Sequence, residues 1–345
     1  MGNQNITEER DFPESSILSV HNFEFIEVLW QGRYGKIWKV RSRKSQRLFA
    51  LKVMSKAKII SNKNVNSVLN EKILFCLLKH PFIIKMEAAF QDRENLYLVM
   101  DLLSGGDLRF HLEKNKKFSE TETKFFSACI ISALEYLHYQ AVLYRDLKPE
   151  NLMFDSQGYL ILIGFGISTI WNPNNSSDTS GTPCYMAPEV LFRQNHCIPV
   201  DYFALGVLLY ECMFGRRPYF GSSRWEIRDH VVAKQVQIKR SEIPASWSLE
   251  AADFINQLIQ RNPAERLGSY DLEAIKNHPW FRGFEWNKLL KKELKSPYIP
   301  LSSSNRRAVC NQDTDQDINE SNMMLRRNSI QAQFKRYFYD PKWAI

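Results

Sequence analysis

The chain has 345 residues, enough for one large or two modest domains, with 44% hydrophobic and 24% charged residues as in an ordinary soluble globular protein. No run of about 18 apolar residues occurs, so no membrane-spanning helix is expected, and the polar start Met1–Arg10 has none of the features of a secretory signal. The formal charge of +8 comes from Lys and Arg spread along the chain with no aromatic-basic RNA motif, which predicts a solvated surface and a phosphate site and no nucleic-acid partner.

Residues 1 to about 20 are polar. From Phe23 to about Val53 apolar and polar residues alternate, as in Lys36–Arg41 and Phe49–Val53, predicting strands. Asn66–Leu78 predicts a helix with Val68, Leu69, Ile73, Phe75 and Leu77 apolar, stopped by His80-Pro81, and Asn95–Leu102 predicts another strand. After Gly105-Gly106 the pattern turns helical. Ser119-Glu120-Thr121-Glu122 spells a capping box, in which the serine oxygen accepts the third amide and Glu122 reaches back. Behind it Phe125, Phe126, Cys129, Ala133, Leu134 and Leu137 form an apolar stripe. Asp201–Phe214, Glu250–Leu258 and Leu272–Asn277 are further predicted helices. Residues 301–330 are rich in Asn, Ser, Asp and Gln and read as an extended tail. The tail ends in Phe334, Tyr337, Phe338, Tyr339 and Trp343, five aromatics whose exposure would be costly and which are therefore expected to dock. The six cysteines (Cys76, Cys129, Cys184, Cys197, Cys212, Cys310) show no C-x-x-C pair and no zinc spacing, as expected for reduced thiols of a cytoplasmic protein.

Two constellations carry chemistry. Gly32-Arg33-Tyr34-Gly35 lies between strand patterns, with Lys52 seventeen residues beyond Gly35. Glycines let backbone amides approach phosphates, and a strand lysine supplies a point charge for their oxygens. Glu71, nineteen residues further on, is placed on a helix to pair with Lys52. The stretch Tyr144-Arg145-Asp146-Leu147-Lys148-Pro149-Glu150-Asn151 is the stronger signal. Asp146 can accept a hydroxyl proton, Lys148 can neutralise a transferring phosphoryl group, and Asn151 can ligate a metal through its amide oxygen.

With Phe49-Ala50-Leu51-Lys52, the run Gly181–Glu189 and Asp201–Gly206, these residues make the chain resemble eukaryotic protein Ser/Thr kinases. It is similar, more narrowly, to the AGC group that includes the cyclic-nucleotide-dependent kinase catalytic subunits, where Tyr144 in place of histidine is habitual. The resemblance implies an α+β, bilobal protein kinase fold over residues 23–281. A small β-rich N-lobe with one long helix (23–102) and a larger helical C-lobe (106–281) would follow a polar extension (1–22) and precede an AGC-type tail (282–345). It implies ATP with Mg2+ or Mn2+, and a nucleotide site of Gly32, Gly35, Ile37, Ala50, Lys52 and Glu71. Met100 would be the gatekeeper, Asp101 and Leu103 the adenine hinge, and Asp107 a ribose-side carboxylate. Glu189 would pair with Arg266. Asp107, Glu150, Glu211 and Pro183 match the substrate groove of basophilic members, implying protein substrates with an upstream Arg. No cyclic-nucleotide domain is recognisable, so such control would need a separate regulatory subunit.

The chain departs from the family pattern at four places. Gly164-Phe165-Gly166 stands eighteen residues after Asp146, where the family has Asp-Phe-Gly, so the usual metal-ligating carboxylate is missing. Trp30 stands at the first glycine of the phosphate loop, where its ring would stiffen the loop or cover the nucleotide. Asp178 replaces the activation-loop phosphothreonine and would pair with Arg145, leaving Thr179 as the fallback phosphosite. Phe334-Lys335-Arg336-Tyr337-Phe338-Tyr339 resembles a hydrophobic motif with Phe338 in the Ser/Thr slot. Arg326-Arg327-Asn328-Ser329-Ile330 reads as a basophilic kinase target at Ser329. Gly2 permits N-myristoylation in principle, although Ile6 stands where Ser or Thr is preferred. Two functions are consistent with this pattern: a Ser/Thr kinase of reduced rate and altered metal dependence, or a pseudokinase that binds nucleotide and acts as a scaffold.

Overall fold

The computed structural model describes residues 18–300, 325 and 328–340. They fall into two units, one from the described parts of 1–63, 87–100 and 308–345, the other from those of 64–86 and 101–307.

The first unit is a sheet of β1 (Phe23–Gly32), β2 (Gly35–Ser42), β3 (Leu48–Ser55), β4 (Met86–Gln91) and β5 (Asn95–Asp101), in the order β1-β2-β3-β5-β4. β1 and β2 form an antiparallel hairpin closed by Gly32 opposite Gly35, with register shifts between Phe25 and Glu27 and between Val28 and Trp30. The alternation read in the sequence puts Phe23, Val40, Phe49, Leu51, Ala88, Phe90, Tyr97 and Val99 into one core. A short helix α1 (Lys56–Ser61) follows β3, its first turn capped by Ser55.

The C-terminal segment completes this unit. α11 (Asn328–Gln333) leads into Phe334 and Tyr337, both fully buried. Ala89 and Tyr339 exchange backbone hydrogen bonds of 2.7 and 2.8 Å, adding a short antiparallel bridge to β4. Lys56, only 1% exposed, donates to the Asp92 carbonyl at 2.7 Å and to Gln331 Oε1 at 2.8 Å, with its ammonium 5.3 Å from the Phe334 ring. Burial pulls its pKa below the usual lysine value, and Asp92 opposes the shift. The expected docking of tail aromatics thus holds for Phe334, Tyr337 and Tyr339, while Phe338 stays 49% exposed and Trp343 lies outside the described residues.

The second unit is mainly helical. It holds α2 (Val65–Leu77), α3 (Leu108–Asn115), α4 (Glu120–Tyr139), α5 (Pro188–Leu191), α6 (Pro199–Phe214), α7 (Arg224–Ala233), α8 (Leu249–Leu258), α9 (Glu273–Lys276) and α10 (Trp286–Leu290). Its short strands pair as β6 (Val142–Leu143) with β9 (Thr169–Ile170) and β7 (Leu152–Phe154) with β8 (Leu160–Leu162). The capping box is present: Ser119 Oγ accepts from the Glu122 amide at 3.3 Å, and Glu122 Oε2 accepts from the Ser119 amide at 2.8 Å. All six residues of the predicted α4 stripe are buried, and in α6 every residue from Pro199 to Met213 is buried.

By compactness α2 groups with the helical unit. It is tied there by Asn70 Nδ2 donating to the Ser168 carbonyl at 2.7 Å and by the Phe75 ring lying edge-on to Phe165 at 5.2 Å. Ile73 and Leu77, read as part of its apolar face, are 49% and 64% exposed, whereas Glu71 is buried. Among the described residues no helix is long and apolar enough to cross a membrane.

Phe334→Ala is expected to destabilise the protein by about 3–5 kcal/mol, and Phe338→Ala by less than about 0.5 kcal/mol. Chemical denaturation of the two variants against the parent chain measures both; equal effects would refute the docking assigned to Phe334.

Candidate active site

The stretch Tyr144–Asn151, expected to form the catalytic loop, is held by one carboxylate. Asp201 is fully buried at the start of α6; its Oδ2 accepts from the Tyr144 amide at 2.9 Å and its Oδ1 from the Arg145 amide at 2.7 Å. His138 Nε2 lies 2.9 Å from Oδ2. Arg145 adopts a positive φ of 66°, a costly conformation for a side-chain-bearing residue. Three groups over-determine it: Asp201 holds its amide, the Ile167 carbonyl accepts from Nε at 2.8 Å, and Asp178 pairs with Nη1.

Around Asp146 the candidate side chains converge. Lys148 Nζ is 2.9 Å from Asp146 Oδ2 and donates to Thr182 Oγ1 at 2.8 Å. Thr182 Oγ1 donates to Asp146 Oδ1 at 2.7 Å, and Asn151 Nδ2 donates to Asp146 Oδ2 at 2.8 Å and to the Asp146 carbonyl at 2.8 Å. The predicted Asp146, Lys148 and Asn151 are therefore brought together. Thr182 joins them, a member of the Gly181–Glu189 run whose role was not assigned from sequence.

Asn151 spends its amide hydrogens on Asp146, which leaves Oδ1 facing Gly164. A Cβ on Gly164 would sit 2.8 Å from that oxygen, and the glycine has φ +78°. Glycine here accepts a left-handed backbone without strain and leaves room for the Asn151 amide. The next residue, Phe165, is fully buried, its ring 5.2 Å from Phe75 and 5.3 Å from Tyr144. Burial, then the charge of Asp146, keeps the Tyr144 phenol well above its ordinary pKa, and its hydroxyl donates to the Ile163 carbonyl. Magnesium is usually held by one or two carboxylates together with substrate phosphates. Here Asn151 Oδ1 would offer one neutral amide oxygen, Gly164 supplies no ligand, and among the described residues no cluster of three His, Cys, Asp or Glu could hold a metal.

The activation segment carries the predicted pair, with Asp178 bound to Arg145 and also accepting from Ser180 Oγ at 2.7 Å. Burial alone would raise the Asp178 pKa, but the hydrogen bonds from Ser180 and Arg145 outweigh it and hold the carboxyl below its usual value. Further along, Glu189 receives Arg266 in a buried bidentate pair, Nη1 at 2.7 Å and Nη2 at 3.1 Å, as the resemblance implied.

The acids expected to line a substrate groove are engaged within the chain. Arg109 of α3 reaches Glu150 at 2.9 Å, Glu211 at 2.8 Å and the Tyr185 hydroxyl at 2.6 Å. Burial opposes its charge, yet Glu211, Tyr185 and Glu150 together raise its pKa. Asp107 caps α3, accepting from the Phe110 amide at 2.8 Å. Pro183 opens the 3-10 turn Pro183–Tyr185 beside them. Neither Arg109 nor Tyr185 was singled out from sequence, since no local pattern marks which arginine folds back on Glu211.

In the first unit, Lys52 lies on β3 opposite Ile37, and Ala50 pairs with Lys39. Met100 is buried in β5. In the second unit Glu71 is buried on α2, the Asp101 amide donates to the Lys85 carbonyl at 3.1 Å, and Leu103 lies in the connection to α3. The loop glycines have reasons of their own. A Cβ on Gly32 would fall 1.8 Å from the Trp30 ring, which lies across it, and one on Gly35 would fall 1.9 Å from the Val53 carbonyl. Thr179 is half-buried, its carbonyl accepting from Arg224 at 3.2 Å. Gly2, the Arg326-Arg327 pair and the Ser329 side chain lie outside the described residues.

A strand hairpin carrying a lysine, a catalytic loop pinned by a buried aspartate and a buried Glu–Arg pair define the protein kinase class. The protein kinase domain model matches residues 23–281, and the chain belongs to the protein kinase family. It is 35% identical over 291 residues to the serine/threonine-protein kinase sgk-1 of Caenorhabditis elegans, covering 83% of this chain and 62% of that protein. It is 36% identical over 305 residues to YPK2/YKR2 of Saccharomyces cerevisiae, covering 88% and 44%. To AtPK2/AtPK19 of Arabidopsis thaliana it is 33% identical over 327 residues, covering 93% and 68%. The chain thus spans between 44% and 68% of the length of these relatives, which are Ser/Thr kinases of the AGC group.

A carboxylate held below its unfolded pKa of about 3.9 adds stability that is complete above that pH and fades as the pH falls through the folded value. Asp178→Asn is therefore expected to melt at a lower temperature than the parent at neutral pH, with the gap closing below about pH 4. Thermal melts of both across this range test it; a gap independent of pH would refute the Arg145 pairing as its source.

Proposed function

We propose that the chain is a Ser/Thr kinase that transfers the γ-phosphate of ATP to protein substrates, at a reduced rate and with altered metal dependence. The observation that carries this reading is the complete Asp146, Lys148, Thr182 and Asn151 network beside Gly164. Asp146, held by three partners, orients the substrate hydroxyl and accepts its proton. Lys148 places a positive charge beside the transferring phosphoryl group, and Lys52 does the same for the phosphates of bound nucleotide. Asn151 Oδ1 is the remaining protein oxygen for Mg2+ or Mn2+, which when bound neutralises charge developing on the phosphates. Replacing the usual aspartate by Gly164 removes a charge-stabilising ligand. By analogy with losing one preorganised oxyanion donor, that costs about 3–4 kcal/mol in the transition state, or roughly 10²–10³ in rate. The second reading, a nucleotide-binding pseudokinase scaffold, is favoured by the same Gly164 and by the Trp30 ring over the phosphate loop.

The substrate preference we assign is for Arg upstream of the acceptor, read by Glu150 and Glu211. Because Arg109 already neutralises both, a substrate arginine has to share or displace it.

Transfer of labelled phosphate from ATP to an Arg-Arg-x-Ser peptide, in Mg2+ and in Mn2+, compares the parent chain with Asp146→Asn and Gly164→Asp. Label incorporated by the parent and lost in Asp146→Asn is the expected result. A silent parent with an active Gly164→Asp would mean a kinase disabled at one ligand, and silence of both while folded would establish the scaffold. Gly164→Asp also has to absorb the positive φ and displace Asn151, so its folding is checked by its melting temperature.

Arg109→Ala leaves Glu211 buried without its counter-charge, a loss of about 3–5 kcal/mol of stability. In the same variant the ratio of affinities for Arg-containing over neutral peptides is expected to rise. Fluorescence anisotropy of the two labelled peptides measures it, and an unchanged ratio would remove Glu150 and Glu211 from substrate reading.

A further inference from the structure

A second cationic site lies away from the catalytic loop. The segment after α5 and the start of α7 enclose a cavity of about 320 Å3 lined by Leu191, Phe192, Arg193, Arg224, Trp225 and Arg228. That volume is within the range of small-molecule and side-chain pockets, roughly 300–1,000 Å3. Three of the six lining residues are arginines, and no acid lines it. Among the described residues none of the three forms an ion pair, in contrast to Arg109, Arg145 and Arg266, each of which meets a carboxylate.

Three guanidinium groups around one cavity repel each other, so something must hold them there. Arg228 is held by stacking, 5.1 Å from the Phe192 ring and 5.5 Å from the Trp225 ring. Arg224 is tethered by its hydrogen bond to the Thr179 carbonyl at 3.2 Å. Their forks are therefore pre-oriented while their charge is uncompensated, which lowers the entropy cost of binding a planar or tetrahedral oxyanion. Trp225, itself a lining residue, is 69% exposed, an apolar ring beside the charge. Exposed aromatics rimmed by arginines mark contact surfaces for other molecules.

We propose that this cavity binds a phosphorylated side chain of a partner peptide, with the phosphomonoester dianion between Arg193, Arg224 and Arg228 and an adjacent apolar residue against Trp225. Phosphate fits better than a single carboxylate because it brings about two charges and three acceptor oxygens to three forks. A flat anionic surface fits less well, since Arg228 is half-buried between two rings while Arg193 and Arg224 are exposed. Occupancy also competes for the hydrogen bond from Arg224 to Thr179, which connects α7 to the activation segment. This site is independent of whether the catalytic loop turns over.

The test uses the full chain without nucleotide and a fluorescein-labelled alanine-based peptide carrying phosphoserine next to phenylalanine. Its unphosphorylated twin, a glutamate twin and phosphatidylserine vesicles run alongside. The phosphopeptide is expected to bind at least about tenfold more tightly than either twin, with inorganic phosphate competing. Arg228→Ala and Arg193→Ala are each expected to weaken binding by at least about tenfold, Arg228→Lys by less, and Arg240→Ala, outside the cavity, not at all. Circular dichroism verifies folding of each variant. Absent binding, equal binding of the twins, indifference to the arginine substitutions in folded protein, or preference for vesicles would each overturn the assignment.

Discussion

The Asp201 carboxylate is the interaction on which the site rests. Its two oxygens accept from consecutive amides of Tyr144 and Arg145 and also meet His138, with no solvent contact. A buried carboxylate is tolerable only when its acceptor sites are filled, and hydrogen bonds to a charged group are about twice as strong as neutral ones. That strength holds Arg145 at positive φ, and the chain reversal there presents Asp146 to Lys148, Thr182 and Asn151. The strain is local and compensated from α6, so the catalytic loop is positioned by the core of the helical unit and not by the loop's own sequence preferences.

The Asp178–Arg145 pair forms within the folded chain. In the C-terminal segment Phe334 and Tyr337 are fully buried while Phe338, between them and Tyr339, stays 49% exposed. A carboxylate carries less charge than phosphate and has fewer acceptor oxygens. Asp178 is correspondingly supported by Ser180 as well as Arg145.

The two substitutions at the nucleotide motifs have different physical consequences. At Gly164 the carboxylate is absent and the backbone is left-handed, and any side chain there would meet the Asn151 amide, so both charge and shape differ from an aspartate site. At Trp30 the change is steric: the indole lies across Gly32, so that glycine is required by its own neighbour whether or not phosphate approaches it. A kinase motif can thus be legible while the reason for each glycine within it is local to this chain.

Much of the molecule was readable before any coordinates. Alternation marked the strands of the first unit, the Ser119–Glu122 box marked the start of α4, and the motif residues predicted Glu189 with Arg266 and Asp178 with Arg145. These follow from short-range rules, periodicity and capping, or from motif residues whose partners the family resemblance supplied. Tertiary structure decided the rest. It assigned α2 to the helical unit and exposed Ile73 and Leu77, because burial depends on which neighbour a face meets and not on its hydrophobicity alone. It also brought Arg109 to Glu150 and Glu211, and gathered Arg193, Arg224 and Arg228 around one cavity. Charge partners far apart in the chain are selected by packing geometry, and no spacing in the sequence encodes that choice.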